Sequence, residues 1–364
     1  MNAPSSNSSS PVIPLAVLRS PLFREHHAPH HEPHPERPER LLAAEAGLQQ
    51  ALQQRSDVAL IEIAPRAATR EELLRAHSTE HLAELSAIRD REGFLDGDTF
   101  YSAQSLATAE HAAGGSLALV DALLEGQAQL GLALLRPPGH HATRERAMGF
   151  CLLNSIALAA AHALARGKSR VLIFDWDVHH GNGTQDIFYS DPRVLFCSTH
   201  QFPWYPGSGR HVEIGDGNGR GFTVNVPLSA GAADAVELAV LQHVLLPLIH
   251  QFRPELILVS AGYDAHRDDP LGGLRFTDQG YGLLSQRLSA VAHDLQVPIA
   301  LLLEGGYDLE ALRGSLAASV SGLLAGVPGA AGPSLGAPQA DPLPAQYEQA
   351  IAQVLATQRP FWGL

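Results

Sequence analysis

The chain has 364 residues, 45% hydrophobic and 17% charged, enough to bury a large core as one big α/β domain or two smaller ones. Its 38 acidic and 25 basic residues give a formal charge of −13, which excludes a general nucleic-acid footprint and favours encounter with cationic substrates. Cys151 and Cys197 are too few for a disulfide framework, no basic-then-apolar leader opens the chain, and no run reads as a membrane span; the cytoplasm is the expected location.

The polar stretch MNAPSSNSSSP predicts a disordered tail over residues 1–11. The histidine-dense segment HHAPHHEPHPERPER (26–40) reads as a proline-stiffened loop rather than a metal site, because its prolines scatter the candidate ligands. A helix follows from about Pro38. RLLAAEAGLQQAL, TREELLRAH, STEHLAEL and SAQSLATAEHAAGGSLALVDALLEG have helical apolar spacing, as has CLLNSIALAAAHALA further on. LGLALLRPP, RVLIFDWD, RVLFCSTH, GFTVNVPL, ELILVSAGYD and IALLLEGGYD are near-continuous apolar runs set between helices, the pattern of a mostly parallel sheet covered on both faces. Five of these runs empty into RPPGHH, DWDVHHG, STHQ, SAGYDAH and EGGYD, and open parallel sheets hold ligands at the carboxyl ends of their strands. One catalytic domain over 12–325 is expected, then a flexible linker over 326–342 and a C-terminal helix within 343–364.

The segment FDWDVHHGNGT (174–184) poses the chemical question, since buried carboxylates and imidazoles are costly unless paired. In an extended strand Asp175, Asp177 and His179 share a face, so Asp177 and His179 can reach one cation with Asp175 behind them. The competing reading is a pair of buried acids satisfied by backbone amides. The glycines of HHGNG would let the backbone turn sharply beneath the site. Asp264, in SAGYDAH, closes another strand at the same edge and would complete an Asp–His–Asp set suited to Zn²⁺ with an open position. His266 competes for that place, and spacing alone does not separate the two. Such a donor set accommodates Fe²⁺ as well. His140 and His141, in RPPGHHATRERAMGF, read as acid/base machinery or as solvent-exposed loop histidines. In EGGYD, Gly305 and Gly306 permit close approach, and Tyr307 offers a phenol that can polarise a carbonyl.

In these four segments, in this order, the chain resembles the histone deacetylase superfamily of zinc amidohydrolases, most strongly its class II enzymes and their bacterial relatives. The resemblance implies an arginase-like α/β fold with a central, mostly parallel sheet of about eight strands sandwiched by helices. It makes Asp177, His179 and Asp264 the zinc ligands, His141 the general base and acid, His140 its electrostatic neighbour and Tyr307 the carbonyl-polarising phenol. Asp175 falls behind His140, and Asn182 behind His141, where class I members carry aspartate. A structural K⁺ is implied at the backbone of Asp175, Asp177 and His179 and the Ser198 hydroxyl. Phe150 and Tyr205, with Gly149 and Gly306, fall where the family lines its acyl-lysine tunnel. Leu271 occupies a gatekeeper position that is glutamate in eukaryotic acetylpolyamine specialists. The implied activity is hydrolysis of N-acyl amides on lysine side chains of peptides or proteins, or on similar amines. The alternative is an acetylpolyamine amidohydrolase. Nucleic acid and membrane are not expected partners, and a homo-oligomer is left open.

Overall fold

In the computed structural model, which describes residues 12–31, 33–329 and 342–364, one sheet organises the chain. Its strands are β1 (Ile13–Leu18), β2 (Val58–Ile63), β5 (Leu130–Ala133), β6 (Val171–Asp175), β7 (Val194–Gln201), β8 (Thr223–Leu228), β9 (Leu256–Ala261) and β10 (Ile299–Leu303). Two short strands, β3 (Gly93–Phe94) and β4 (Phe100–Tyr101), form a separate antiparallel ribbon. The large sheet runs β2-β1-β5-β10-β9-β6-β7-β8 and every neighbouring pair is parallel. The fold is a single α/β domain with helices on both faces. Strands β5, β6, β7, β9 and β10 are buried along their whole length, the environment that rewards unbroken apolar runs. The five strand ends with polar residues belong to five adjacent strands, β5-β10-β9-β6-β7. All of that chemistry therefore meets at one edge.

Several local expectations shift. CLLN is not helical: Met148 and Cys151 form an isolated bridge, and the helix starts at Ser155, where the Asn154 side chain caps the Ala157 N–H. TREELLRAH makes only one capped turn, Arg70–Leu73, with Thr69 and Glu72 closing a capping box. The helical run Asp234–Phe252 is 19 residues long with mean hydropathy 1.3, long and apolar enough by those measures to cross a membrane, contrary to the sequence reading. Here Val236, Leu241, Val244, Leu248 and Phe252 are buried within the fold. The expected tail (1–11) and most of the expected linker (326–342) lie outside the described residues. The C-terminal helix Ala345–Gln358 buries Tyr347, Ile351 and Val354, and Gln358 donates to the Thr223 carbonyl of β8 at 2.9 Å.

One buried group in this scaffold carries a pH prediction. Glu237 accepts a 2.8 Å bond from the Thr199 hydroxyl, while its other oxygen finds no partner among the described residues. Burial raises its pKa to about 8. Between pH 4.5 and 8 the folded state thus holds a proton that the unfolded chain has released, so stability falls as pH rises through that window. Glu237→Gln is expected to flatten the fall, with its advantage over wild type growing by about 1 kcal/mol per pH unit up to pH 8. Denaturant midpoints at several pH values measure this; parallel curves for the two proteins would refute it.

Candidate active site

The β6 strand stops at Asp175, so the pleat does not align the next two candidates as a strand would. Carboxylate-to-amide bonds do so instead. Asp175 Oδ1 accepts the Asp177 N–H at 3.1 Å, and Asp177 Oδ1 accepts the His179 N–H at 2.9 Å, giving a short staircase that turns each side chain toward the sheet edge. Asp264 arrives from the end of β9, its Oδ1 accepting the Val178 N–H at 2.9 Å. Asp177 Oδ2 accepts the Gly305 N–H from the end of β10, also at 2.9 Å. A Cβ at Gly262 would run into the Asp177 carboxylate, and one at Gly305 into that of Asp264, so these glycines are required by close approach. Close approach also governs HHGNG, whose expected sharp turn is present at Gly181, where the Asn182 N–H bonds the His180 carbonyl at 2.8 Å. Gly181 and Gly183 do not have positive φ; they are small because Asp175 and the Ala142 carbonyl press against them.

The outcome is a cluster of Asp177, His179 and Asp264 with one donor atom from each within 4.8 Å of the others. His179 Nδ1 lies 3.2 Å from an oxygen of both aspartates. Burial disfavours charge on His179, yet its bonds to Asp177 and Asp264 win and raise its pKa to about 10. Burial and the Asp177 charge push Asp264 up to about 7, while Asp177, despite burial, is held far below the usual carboxylate range by His140 and His179. Two buried carboxylates and an imidazole whose donor atoms converge on one point form a donor set that fits a divalent cation. Both earlier readings of the acids thus contain part of the answer: Asp264 gives one oxygen to a backbone amide and the other to the cluster, while Asp177 accepts backbone amides at both oxygens and faces His179 through one of them. His266 is not in it, because its ring turns toward Asp268 and Asp278, each at 3.6 Å.

His140 and His141 are buried rather than exposed, with ring centroids 4.0 Å apart. Their turn is held by Glu304, whose Oε2 accepts the Gly139 and His140 N–H groups at 2.6 and 3.1 Å. His140 Nδ1 meets Asp175 Oδ2 at 2.9 Å, and His141 Nδ1 meets Asn182 Oδ1 at 2.7 Å. Burial opposes charge on both rings. For His140 the Asp175 and Asp177 charges outweigh it and raise the pKa well above the ordinary value. For His141 burial dominates, the neighbouring His140 and His179 add to it, and the pKa falls well below the ordinary value. The pair is split into a cation and a neutral base. Asn182 accepts through Oδ1, so the His141 proton sits on Nδ1; the amide Nδ2 of Asn182 in turn faces Met148 Sδ at 3.4 Å.

Above the cluster lies a mostly apolar cavity of about 250 Å³ lined by Asp98, His141, Gly149, Phe150, His179, Trp204, Tyr205, Leu271 and Tyr307. Tyr205 sets its ring edge-on to His141 at 5.2 Å, and Phe150 lies edge-on to Tyr307 at 5.8 Å. Phe150 has φ +68°, a left-handed conformation that is costly for a bulky residue and holds the ring in the cavity wall. Gly306 is the exception among the expected tunnel residues. It is absent from the lining, takes φ +118° and accepts the Arg40 Nε–H at its carbonyl at 2.6 Å, supporting Tyr307 from behind. Ser198 sits opposite Asp175 in the β6–β7 register, its hydroxyl 2.9 Å from His200 Nδ1. The histidine-rich loop packs through its rings, with His26 stacked on Phe100 at 4.3 Å and His34 edge-on to Phe150 at 4.7 Å. Sequence reasoning missed Asp98, Trp204, Glu304, Asp269 and Arg40. Glu304 stands inside EGGYD and Asp269 two residues before Leu271, whereas Arg40 closes the histidine-rich segment 26–40 that was read only as a loop leading into a helix.

Residues 34–323 match a family model described as the histone deacetylase domain. The probable deacetylase of Archaeoglobus fulgidus is 38% identical over 312 residues, which cover 85% of this chain and 86% of that protein. Histone deacetylase 15 of Arabidopsis thaliana is 38% identical over 336 residues, 91% of this chain and 59% of that protein. The polyamine deacetylase HDAC10 of Homo sapiens is 41% identical over 348 residues, 90% of this chain and 49% of that protein. The chain therefore spans most of the archaeal relative and half to three-fifths of these two eukaryotic ones. The crystal structure of the HDA15 HD domain aligns with a TM-score of 0.86 at 36% identity, covering 97% of both chains.

Proposed function

The chain belongs to the histone deacetylase superfamily and is an amide hydrolase, and we propose that it is a zinc-dependent deacylase acting on N-acyl lysine side chains or similar primary amines. The observation that carries this reading is the Asp177–His179–Asp264 cluster at the base of an apolar cavity shared with His141 and Tyr307. Zn²⁺ held by those three residues would supply Lewis acidity, polarising the amide carbonyl and making a water acidic near neutral pH; Fe²⁺ suits the same donors. His141, neutral and with its Nδ1 proton committed to Asn182, takes the water proton at Nε2 and returns one to the leaving amine. Tyr307, whose phenol is kept protonated by burial, donates to the developing oxyanion. His140, held cationic against Asp175, adds positive charge beside that centre. The cavity walls, Phe150 and Tyr205 above all, pack the acyl-amine stem and exclude water. A structural K⁺ is proposed at the backbone of Asp175, Asp177 and His179 and the buried Ser198 hydroxyl.

Acetylpolyamine hydrolysis is the second reading, and two observations bear on it in opposite senses. Leu271 in the lining presents no charge to a distant ammonium, which favours acyl-lysine. Asp98 in the same lining could meet one, although burial and the adjacent Asp96 carboxylate raise its pKa. Initial rates on acetyl-lysine peptides, N-acetylputrescine and acetylspermidine, with and without a chelator, test the proposal. Peptide rates well above polyamine rates, lost on chelation and restored by Zn²⁺, are expected. The reverse order would overturn the substrate class, and rates indifferent to chelation would overturn the metal chemistry.

A further inference from the structure

Asp269 follows SAGYDAH by three residues, is nearly buried and bonds three backbone amides from two different loops. Its Oδ1 accepts the Leu271 N–H at 3.0 Å; its Oδ2 accepts the Tyr307 N–H at 2.6 Å and the Asp308 N–H at 3.1 Å. On the far side of Leu271, the carbonyl accepts the indole N–H of Trp204 at 2.9 Å. A continuous set of bonds thus runs from the aromatic rim of the cavity, through the Leu271 peptide and Asp269, to the backbone of Tyr307.

We infer that Asp269 is a positioning residue that locks the cavity rim to Tyr307 and fixes where the phenol stands, a reading that rests on the role proposed for Tyr307. The local backbone explains why a lock is needed. Gly306, immediately before Tyr307, has φ +118°, a region in which glycine moves easily and side-chain-bearing residues do not. The Tyr307 phenol is a full side chain away from that pivot, so a small rotation of the peptide displaces the hydroxyl by much more. Two pins restrain it: Arg40 on the Gly306 carbonyl, and Asp269 on the Tyr307 and Asp308 amides. The residue type follows from the bonding. A carboxylate only accepts, and its two oxygens have room for several N–H donors, so one side chain can hold both loops at once. Asparagine cannot. Its amide nitrogen would face an N–H, and either the Leu271 or the Tyr307 arm would open.

The alternative is that Asp269 merely satisfies buried amides, with no particular bearing on Tyr307. A double-mutant cycle separates the two. Asp269→Asn is expected to lower kcat roughly 10- to 100-fold with KM within about twofold, the scale that misplacement of a reacting group by about 1 Å produces. In a Tyr307→Phe background, where the phenol is already gone, the same substitution is expected to cost almost nothing more. Losses that multiply in the double variant, or wild-type kcat in Asp269→Asn, would overturn the proposal. Near-normal kcat in Tyr307→Phe alone would instead overturn the role given to Tyr307, and this lock would fall with it. Thermal unfolding establishes that each variant is folded. Should Asp269→Asn fail that check, Asp269→Glu, which keeps the charge but drives the carboxylate out of register with the three amides, enters the same cycle.

Discussion

Replacing His141 by alanine is expected to lower kcat roughly 10²- to 10⁴-fold while leaving KM within a few-fold, because the ring moves protons and contributes little to holding the substrate. The geometry leaves no substitute. His140 is 4.0 Å away, ring to ring, but its Nδ1 is bound to Asp175 and the surrounding carboxylates keep it charged. A cation at that place can stabilise negative charge and cannot accept a proton. His141 is the reverse case, since burial and the neighbouring rings favour its neutral form and Asn182 fixes the tautomer. His140→Ala should therefore cost much less than His141→Ala. The loss in His141→Ala should also shrink on an aryl acetate, whose leaving group departs without a proton. Steady-state kinetics on the amide and the ester decide the matter. A His141→Ala enzyme within about tenfold of wild type on the amide would exclude His141 as the proton carrier.

The chemistry of the site was more legible in the sequence than its mechanics. The buried strands β5, β6, β7, β9 and β10 announce themselves because a strand covered on both faces has no reason to alternate, and each ends abruptly in polar residues. Strands β1 and β2 were not picked out. β1 carries Pro14, and edge strand β2 is only partly buried along most of its length and carries Glu62, so neither reads as a core run. The donor residues Asp177, His179 and Asp264 could be named from residue type and position, but not the reason they converge. Beyond the local Asp175–Asp177–His179 staircase, that reason is a pair of bonds between the ends of different strands, Asp264 to the Val178 amide and Asp177 to the Gly305 amide, which no local pattern encodes. The glycines were only half read: the backbone does turn sharply at Gly181, where the Asn182 N–H bonds the His180 carbonyl at 2.8 Å, but the close packing around them was not foreseen. Gly181 and Gly183 look like turn formers in sequence, and only the packed structure shows the groups they make room for. The support that Arg40 gives the site was invisible because the two carbonyls it holds are 264 and 266 positions away.

The largest stability effect is expected at Glu36, also unmarked in the sequence. Its Oε1 accepts from Arg136 Nε at 2.5 Å and Arg40 Nη1 at 3.0 Å, and its Oε2 accepts from Arg136 Nη2 at 2.6 Å, with all three side chains fully buried. Burial would raise the carboxyl pKa, but the Arg136 charge and bond outweigh it and bring it down to about 2. The stabilisation is therefore complete above the unfolded value of 4.5 and is lost as pH falls through 2. Glu36→Ala strands two guanidinium ions in the core and is expected to cost about 3–5 kcal/mol, a large share of the 5–15 kcal/mol that holds a typical domain together. Removing charge from both sides, as in Glu36→Leu with Arg136→Met, should recover part of that loss. The damage is not confined to stability. Arg40 also donates to the Glu304 and Gly306 carbonyls and lies 4.9 Å over the Tyr307 ring, so a guanidinium released from Glu36 loosens the support beneath the phenol. Denaturant midpoints read the first effect and kcat below the unfolding transition reads the second. A Glu36→Ala chain destabilised by less than about 1 kcal/mol would mean that water reaches this triad and that burial does not set its energetics.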